Sequence, residues 1–187
     1  MSKIEVQTID APSGQNTVTI GDSNASTITL KSGATLTNFP DNTPVLFAFL
    51  NTTQTATNNN YTKVTLNQTS IDTASGFNTS SYEYTVPEAG KYYIMATIIF
   101  TTGAADALRD HNISIRKNGT SFAHTTDNPN SAYKATGTLE CSTIATLAQN
   151  DVITLYGHIN STNAAQFEGS STETNETSLY MFKLAGA

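Results

Sequence analysis

Two stretches of this 187-residue chain carry apolar side chains at nearly every step, where a half-exposed strand carries them at every second one. Residues 45–50 read Val-Leu-Phe-Ala-Phe-Leu. Residues 91–101 place Tyr92, Ile94, Ala96, Ile98 and Phe100 on one side of an extended strand and Tyr93, Met95 and Ile99 on the other. Successive side chains of a strand point to opposite faces, so strands of this kind need both faces covered. A second sheet of the same domain covers one face, and a neighbouring molecule is the natural cover for the other.

The remaining apolar positions fall into short alternating segments. Residues 61–70 set Tyr61 and Lys63 against Val64 and Leu66; residues 81–86 end at Pro87, and Glu88-Ala-Gly90 turns the chain. Residues 112–117 and 120–124 flank Asn118-Gly119, a strong two-residue hairpin signal. Residues 135–147 and 152–159 are joined by Ala148-Gln-Asn-Asp151, and residues 178–184 form the last segment. Residues 104–110 are the one short helical candidate. About eight to ten strands at this spacing predict an all-β fold, an antiparallel sandwich or jelly roll.

Composition points the same way. Thr, Ser and Asn supply 33, 17 and 18 residues, while charged residues reach only 13%. Strong helix formers are scarce and β-formers abundant. A net charge of −6 with nine Lys and Arg argues against nucleic acid as a partner, since phosphate binding needs clustered cations. A lone Cys141 allows no internal disulfide. The start lacks a run of signal-peptide length, and the apolar clusters are too short to cross a membrane as helices. The reading is a chain made in a cytoplasm, with no membrane insertion.

Residues 1–43 differ from the rest. They hold one aromatic, Phe39, and three segments alternating Thr with aliphatics: Thr17-Val-Thr-Ile20, Thr27-Ile-Thr-Leu30 and Thr35-Leu-Thr37. Strands this short do not bury their aliphatic faces alone. They predict an attachment arm lying on a larger assembly or an intertwined β shaft; a flexible leader is the alternative. Asp41-Asn-Thr-Pro44 marks the boundary, and residues 44–187 form the second domain.

In that second domain, Phe77-Asn78, Tyr84, Val86-Pro87, Gly90 and Tyr92-Tyr93 follow one another at telling intervals. They resemble the signature of the complement component 1q globular head, with Ile94 where that family usually has Phe. Arg116-Lys-Asn-Gly119 is similar to the family's hairpin, Leu147-Ala-Gln-Asn-Asp151-Val to its entry into a late strand, and Leu179-Tyr-Met-Phe182 to its closing strand. The resemblance implies a ten-stranded jelly roll shared with tumour necrosis factor, a compact homotrimer, and a binding module without enzymatic activity. The opening Ser2-Lys-Ile-Glu-Val-Gln-Thr-Ile-Asp10, with Thr17-Val-Thr-Ile-Gly21 and Ser32-Gly-Ala-Thr-Leu-Thr37, resembles the start of many bacteriophage virion proteins. Together the two imply a virion surface protein. It would be either capsid decoration (cement) or a tail-fibre receptor-binding tip, held to other capsid or tail proteins through residues 1–43. A soluble trimeric carbohydrate- or protein-binding module outside a virion is the alternative.

Interface aromatics follow from the two-faced strands. Phe47, Phe49, Tyr156, Tyr180 and Phe182 are expected at a threefold axis. The polar loops 52–60, 125–133 and 160–177 are candidates for a host cell-surface glycan, with Tyr61, Tyr133 or Phe167 stacking on a sugar ring. Asp106, Asp110 and His111 share one loop, and the resemblance implies a calcium site there, since some relatives bind calcium near their apex. A calcium ion needs six or more oxygen ligands and this loop has no consensus, so a solvated loop is the other reading and no further cofactor is expected. Catalysis finds no Gly-x-Ser-x-Gly elbow, and His111, His124 and His158 are far apart, reading as surface residues. Cys141 is expected in the core.

Overall fold

The computed structural model describes residues 42–129, 133–172 and 176–184. Most of the expected N-terminal arm lies outside the described residues. Among them there are thirteen strands and no helix. Nothing there is a helix long and apolar enough to cross a membrane. The strands are β1 (Val45–Phe49), β2 (Gln54–Thr55), β3 (Asn60–Lys63), β4 (Gln68–Asp72), β5 (Phe77–Asn78), β6 (Glu83–Thr85) and β7 (Gly90–Thr101). They continue with β8 (Leu108–Lys117), β9 (Thr120–Asp127), β10 (Thr136–Leu147), β11 (Val152–Ser161), β12 (Gln166–Phe167) and β13 (Ser178–Lys183). Three of the thirteen are two-residue pieces.

The strands form two sheets, and every pairing is antiparallel. In the seven-stranded sheet β7 is the spine. It pairs with β10 along all twelve of its residues on one side, and with β13 and then β12 on the other. From β13 the sheet continues through β1 to β4, and from β12 to β2. In the six-stranded sheet β11 is central, with β8 and β9 on one side and β6 and β3 on the other. This is the expected jelly-roll sandwich.

The core lies between the sheets and follows the period of two. Tyr92, Ile94, Ala96, Ile98 and Phe100 of β7 face Ile113 and Ile115 of β8 and Ile153, Leu155 and Ile159 of β11, all within 1% of complete burial. Leu139 and Cys141 of β10 join them, the cysteine a free thiol that burial pushes to a higher pKa. Tyr92 shows how a buried hydroxyl is satisfied: it donates to the Glu88 carbonyl at 2.8 Å, and burial pushes its pKa up to about 12.

The strand ends are set by turn chemistry. Asn118 and Gly119 both take positive φ, 50° and 80°, as a tight two-residue hairpin requires. Asn118 then binds the neighbouring connection: its Nδ2 donates to Asp151 Oδ1 at 2.7 Å and its Oδ1 accepts from the Val152 amide at 2.8 Å. Asp151 accepts from the Ala148 amide at 2.8 Å, and these bonds hold its carboxyl below the ordinary range. The helical expectation for residues 104–110 is corrected. Gly103 and Asp106 have φ of 67° and 54°, which no right-handed helix accommodates, and Leu108 already begins β8. The alternating segment 61–70 likewise divides into β3 and β4, which belong to different sheets.

Gly157 marks a close approach in the core. A Cβ there would stand 2.6 Å from the ring of Phe167, which itself meets Phe100 edge to face at 5.7 Å. Phe167→Ala should therefore lower the unfolding free energy by about 3–5 kcal/mol. Chemical denaturation at fixed protein concentration measures this, and a loss below about 1 kcal/mol would contradict the packing.

Candidate functional site

The outer face of the seven-stranded sheet, away from the core, is built from the second apolar set of the two-faced strands. Register places Ile144 (β10), Tyr93 (β7), Phe182 (β13) and Val45 (β1) side by side in one cross-strand row. The next row runs from Met95 through Tyr180 and Phe47 to Ile71 of β4. Cross-strand neighbours of this kind touch directly. The Phe47 and Tyr180 rings stack at 4.2 Å with 12° between planes, Phe49 lies 5.8 Å from Phe47, and Tyr93 meets Phe182 at 5.4 Å.

Apart from Ile144 and Phe49, these side chains line an apolar groove of about 270 Å³. Ile71 stays 45% exposed and Ile144 63% exposed. The sheet thus has a contiguous apolar face on the side opposite its core.

Four of the five residues expected at a subunit interface, Phe47, Phe49, Tyr180 and Phe182, lie on this face together. Tyr156 does not. It belongs to β11, where Ile153, Leu155 and Ile159 point inward, so the alternation turns Tyr156 to the outside of the six-stranded sheet. Tyr93, Met95, Ile71 and Ile144 complete the face.

The glycan candidates separate in the same way. Phe167 is fully buried in the core, so it offers no ring to a sugar. Its segment reads as a polar loop, but β12 pairs with β7 and carries the ring inward. Tyr61 is 43% exposed on β3 beside His158. Tyr133 lies under the Arg109 guanidinium, 3.7 Å from the ring centroid.

The expected calcium ligands do not converge. Asp106 is exposed in a turn, whereas Asp110 points outward from β8 and accepts from Asn160 Nδ2 at 2.7 Å. Its other carboxylate oxygen lies 3.5 Å from Nδ1 of His158. No cluster of three or more metal-ligating side chains exists among the described residues.

His111 corrects a further expectation. It alternates inward from Asp110, is 1% exposed, and meets Phe100 edge-on at 4.9 Å. Neither ring nitrogen has a hydrogen-bond partner, and the Asp127 carboxylate lies 3.8 Å from Nε2.

The architecture is that of the jelly-roll head found in complement component 1q and tumour necrosis factor proteins. Among solved structures, the chain is similar to the globular domain of zebrafish complement 1qA protein, with a TM-score of 0.52 and 14% identity over 75% of this chain and 96% of that one. It is similar too to murine APRIL at pH 5.0, with a TM-score of 0.52, 17% identity, and 75% and 98% of the two chains covered. Murine APRIL at pH 8.0 gives 0.51 and 18% with the same coverage. The likeness is one of fold. No protein-family model matches the sequence, and no curated protein matches it.

Burial holds the His111 ring below its ordinary pKa of 6.5, with Asp127 opposing that shift and Lys134 reinforcing it. The unfolded chain then carries more protons than the folded one just below pH 6.5, so stability rises with pH through that window and is complete above it. The slope from this one group is at most about 1.4 kcal/mol per pH unit. In unfolding titrations between about pH 5 and pH 7.5, His111→Met should remove that component; a variant with the parent's pH profile would contradict the assignment.

Proposed function

We propose that this chain is a non-enzymatic structural protein of a phage particle. In this reading it forms a homotrimer on the virion surface, with the outer face of the seven-stranded sheet packed around the threefold axis. One observation carries the trimer: the two rows of aromatic and aliphatic side chains on that face, with Ile71 and Ile144 left in water. A homotrimer is what the resemblance to the complement component 1q head implies, and its jelly roll has the same two-sheet plan. Aromatic side chains are the usual anchors of such interfaces, and the face carries Phe47, Phe49, Tyr93, Tyr180 and Phe182.

The virion setting rests on the wording of residues 1–43, which resembles the start of bacteriophage virion proteins and would attach the trimer to capsid or tail. Several weak attachments through linked copies then act together at high effective concentration. Copy number separates the two positions, since decoration needs hundreds per particle and a fibre tip far fewer. A soluble trimeric module outside a virion would share the interface and lack the attachment.

Sedimentation at micromolar concentration tests the assembly. The native chain should run at three times its 19.9 kDa mass. Phe47→Glu puts a charge into the apolar stack and should leave a folded monomer, with affinity reduced by at least about a hundredfold. A native chain that sediments as a monomer refutes the trimer.

A further inference from the structure

The outer face of the six-stranded sheet is built differently from its counterpart, and one group on it is left unanswered. Arg116 of β8 lays its guanidinium 3.8 Å over the centroid of Tyr156 on β11, with the ring of Tyr61 on β3 at 5.2 Å. Two other bases on this face have acids: Lys63 Nζ sits 2.7 Å from Glu83, and His158 lies 3.5 Å from Asp110. Arg116 has no carboxylate within ion-pair distance among the described residues, and its Nε is buried without a hydrogen-bond partner. A guanidinium is a planar fork of five donors matched to a carboxylate, and leaving such donors unpaired is costly.

The surroundings narrow the class of ligand. Tyr61 is exposed enough to offer a ring face to the C–H face of a sugar. Across the strand pair from Arg116, Ser121 is exposed, and its hydroxyl, 2.8 Å from that of the buried Ser114, keeps capacity for a ligand. The whole chain carries fifteen Asp and Glu against nine Lys and Arg, so a densely charged polyanion is repelled. One carboxylate on an otherwise neutral, hydroxyl-rich ring satisfies Arg116 without that repulsion.

We propose that Tyr61, Arg116 and Tyr156 form a binding site for an acidic saccharide. The carboxylate of a uronate or sialate residue takes the Arg116 fork, and the sugar ring lies on Tyr61. The site is on the opposite side of the sandwich from the apolar face, so it stays open when that face is packed. Only its biological setting, attachment to a cell surface, rests on the virion reading above; the binding chemistry stands apart from it.

Calorimetry and saturation-transfer NMR on the full chain test the site, with 3′-sialyllactose, digalacturonate, lactose and inorganic sulfate as probes. At least one of the two acidic sugars should bind with a Kd near about 1 mM, and which one binds separates sialate from uronate. Lactose and sulfate should bind at least about tenfold more weakly. Arg116→Gln should weaken the acidic sugar by about tenfold or more, and Arg116→Lys, which keeps the charge and loses the fork, by less. Tyr61→Ala, at a half-exposed position, should weaken it about threefold or more in a chain that still unfolds cooperatively. Several outcomes would overturn the site: no binding of either acidic sugar at about 10 mM, equal binding of lactose or sulfate, or an Arg116→Gln variant with native affinity. Sedimentation of the same samples keeps the two readings apart. A monomer that binds the sugar refutes the trimer alone, and a trimer that does not bind refutes the site alone.

Discussion

Burial of β7 on two fronts is the constraint on which the rest of the structure depends. The strand is hydrogen-bonded along its whole length to β10 and, on its other side, to β13 and β12. Its backbone is therefore fully committed, and both rows of its side chains are left to find partners out of the plane of the sheet. One row meets β8 and β11 and becomes the core. The other joins Phe47, Tyr180 and Phe182 in a continuous apolar face. Fold and surface thus come from one pattern: a strand that carries apolar residues at consecutive positions.

That pattern made much of the architecture legible in advance. The hairpin at Asn118-Gly119 and the turn at residues 148–151 follow from local chemistry, and the alternation of residues 91–101 assigned each side chain to its face. Positions where tertiary pairing outweighs local character were harder to read. Phe167 lies in a stretch rich in Ser, Thr and Asn, and only its pairing with β7 carries it inward. His111 and Asp110 look like one polar cluster in sequence, yet a strand separates neighbours by alternation. Tyr156 has the aromatic character of an interface residue, but its face depends on the register of β11 against β8. Tyr93 and Met95 were visible as the second face of their strand. Their role beside Phe182 and Tyr180 needed the order of strands, which no local pattern encodes.

The two outer faces divide the chemistry of the molecule. On the seven-stranded sheet, aromatic rings stack on one another and leave aliphatic groups in water. On the six-stranded sheet, the rings of Tyr61 and Tyr156 hold the Arg116 cation, and Ser121 pairs with it across the strands. A sandwich keeps these surfaces on opposite sides. Association through the first leaves the second unobstructed, and changes on one need not disturb the other.

The position of Cys141 has a consequence for any assembly of copies. The chain has one cysteine, and its thiol points between the sheets from β10, opposite Ala96 of β7. The residues beside it in sequence, Glu140 and Ser142, point the other way. No sulfhydryl reaches either outer face, so oxidation cannot cross-link neighbouring copies there. Contacts between copies made through those surfaces would therefore hold equally in reducing and in oxidising surroundings.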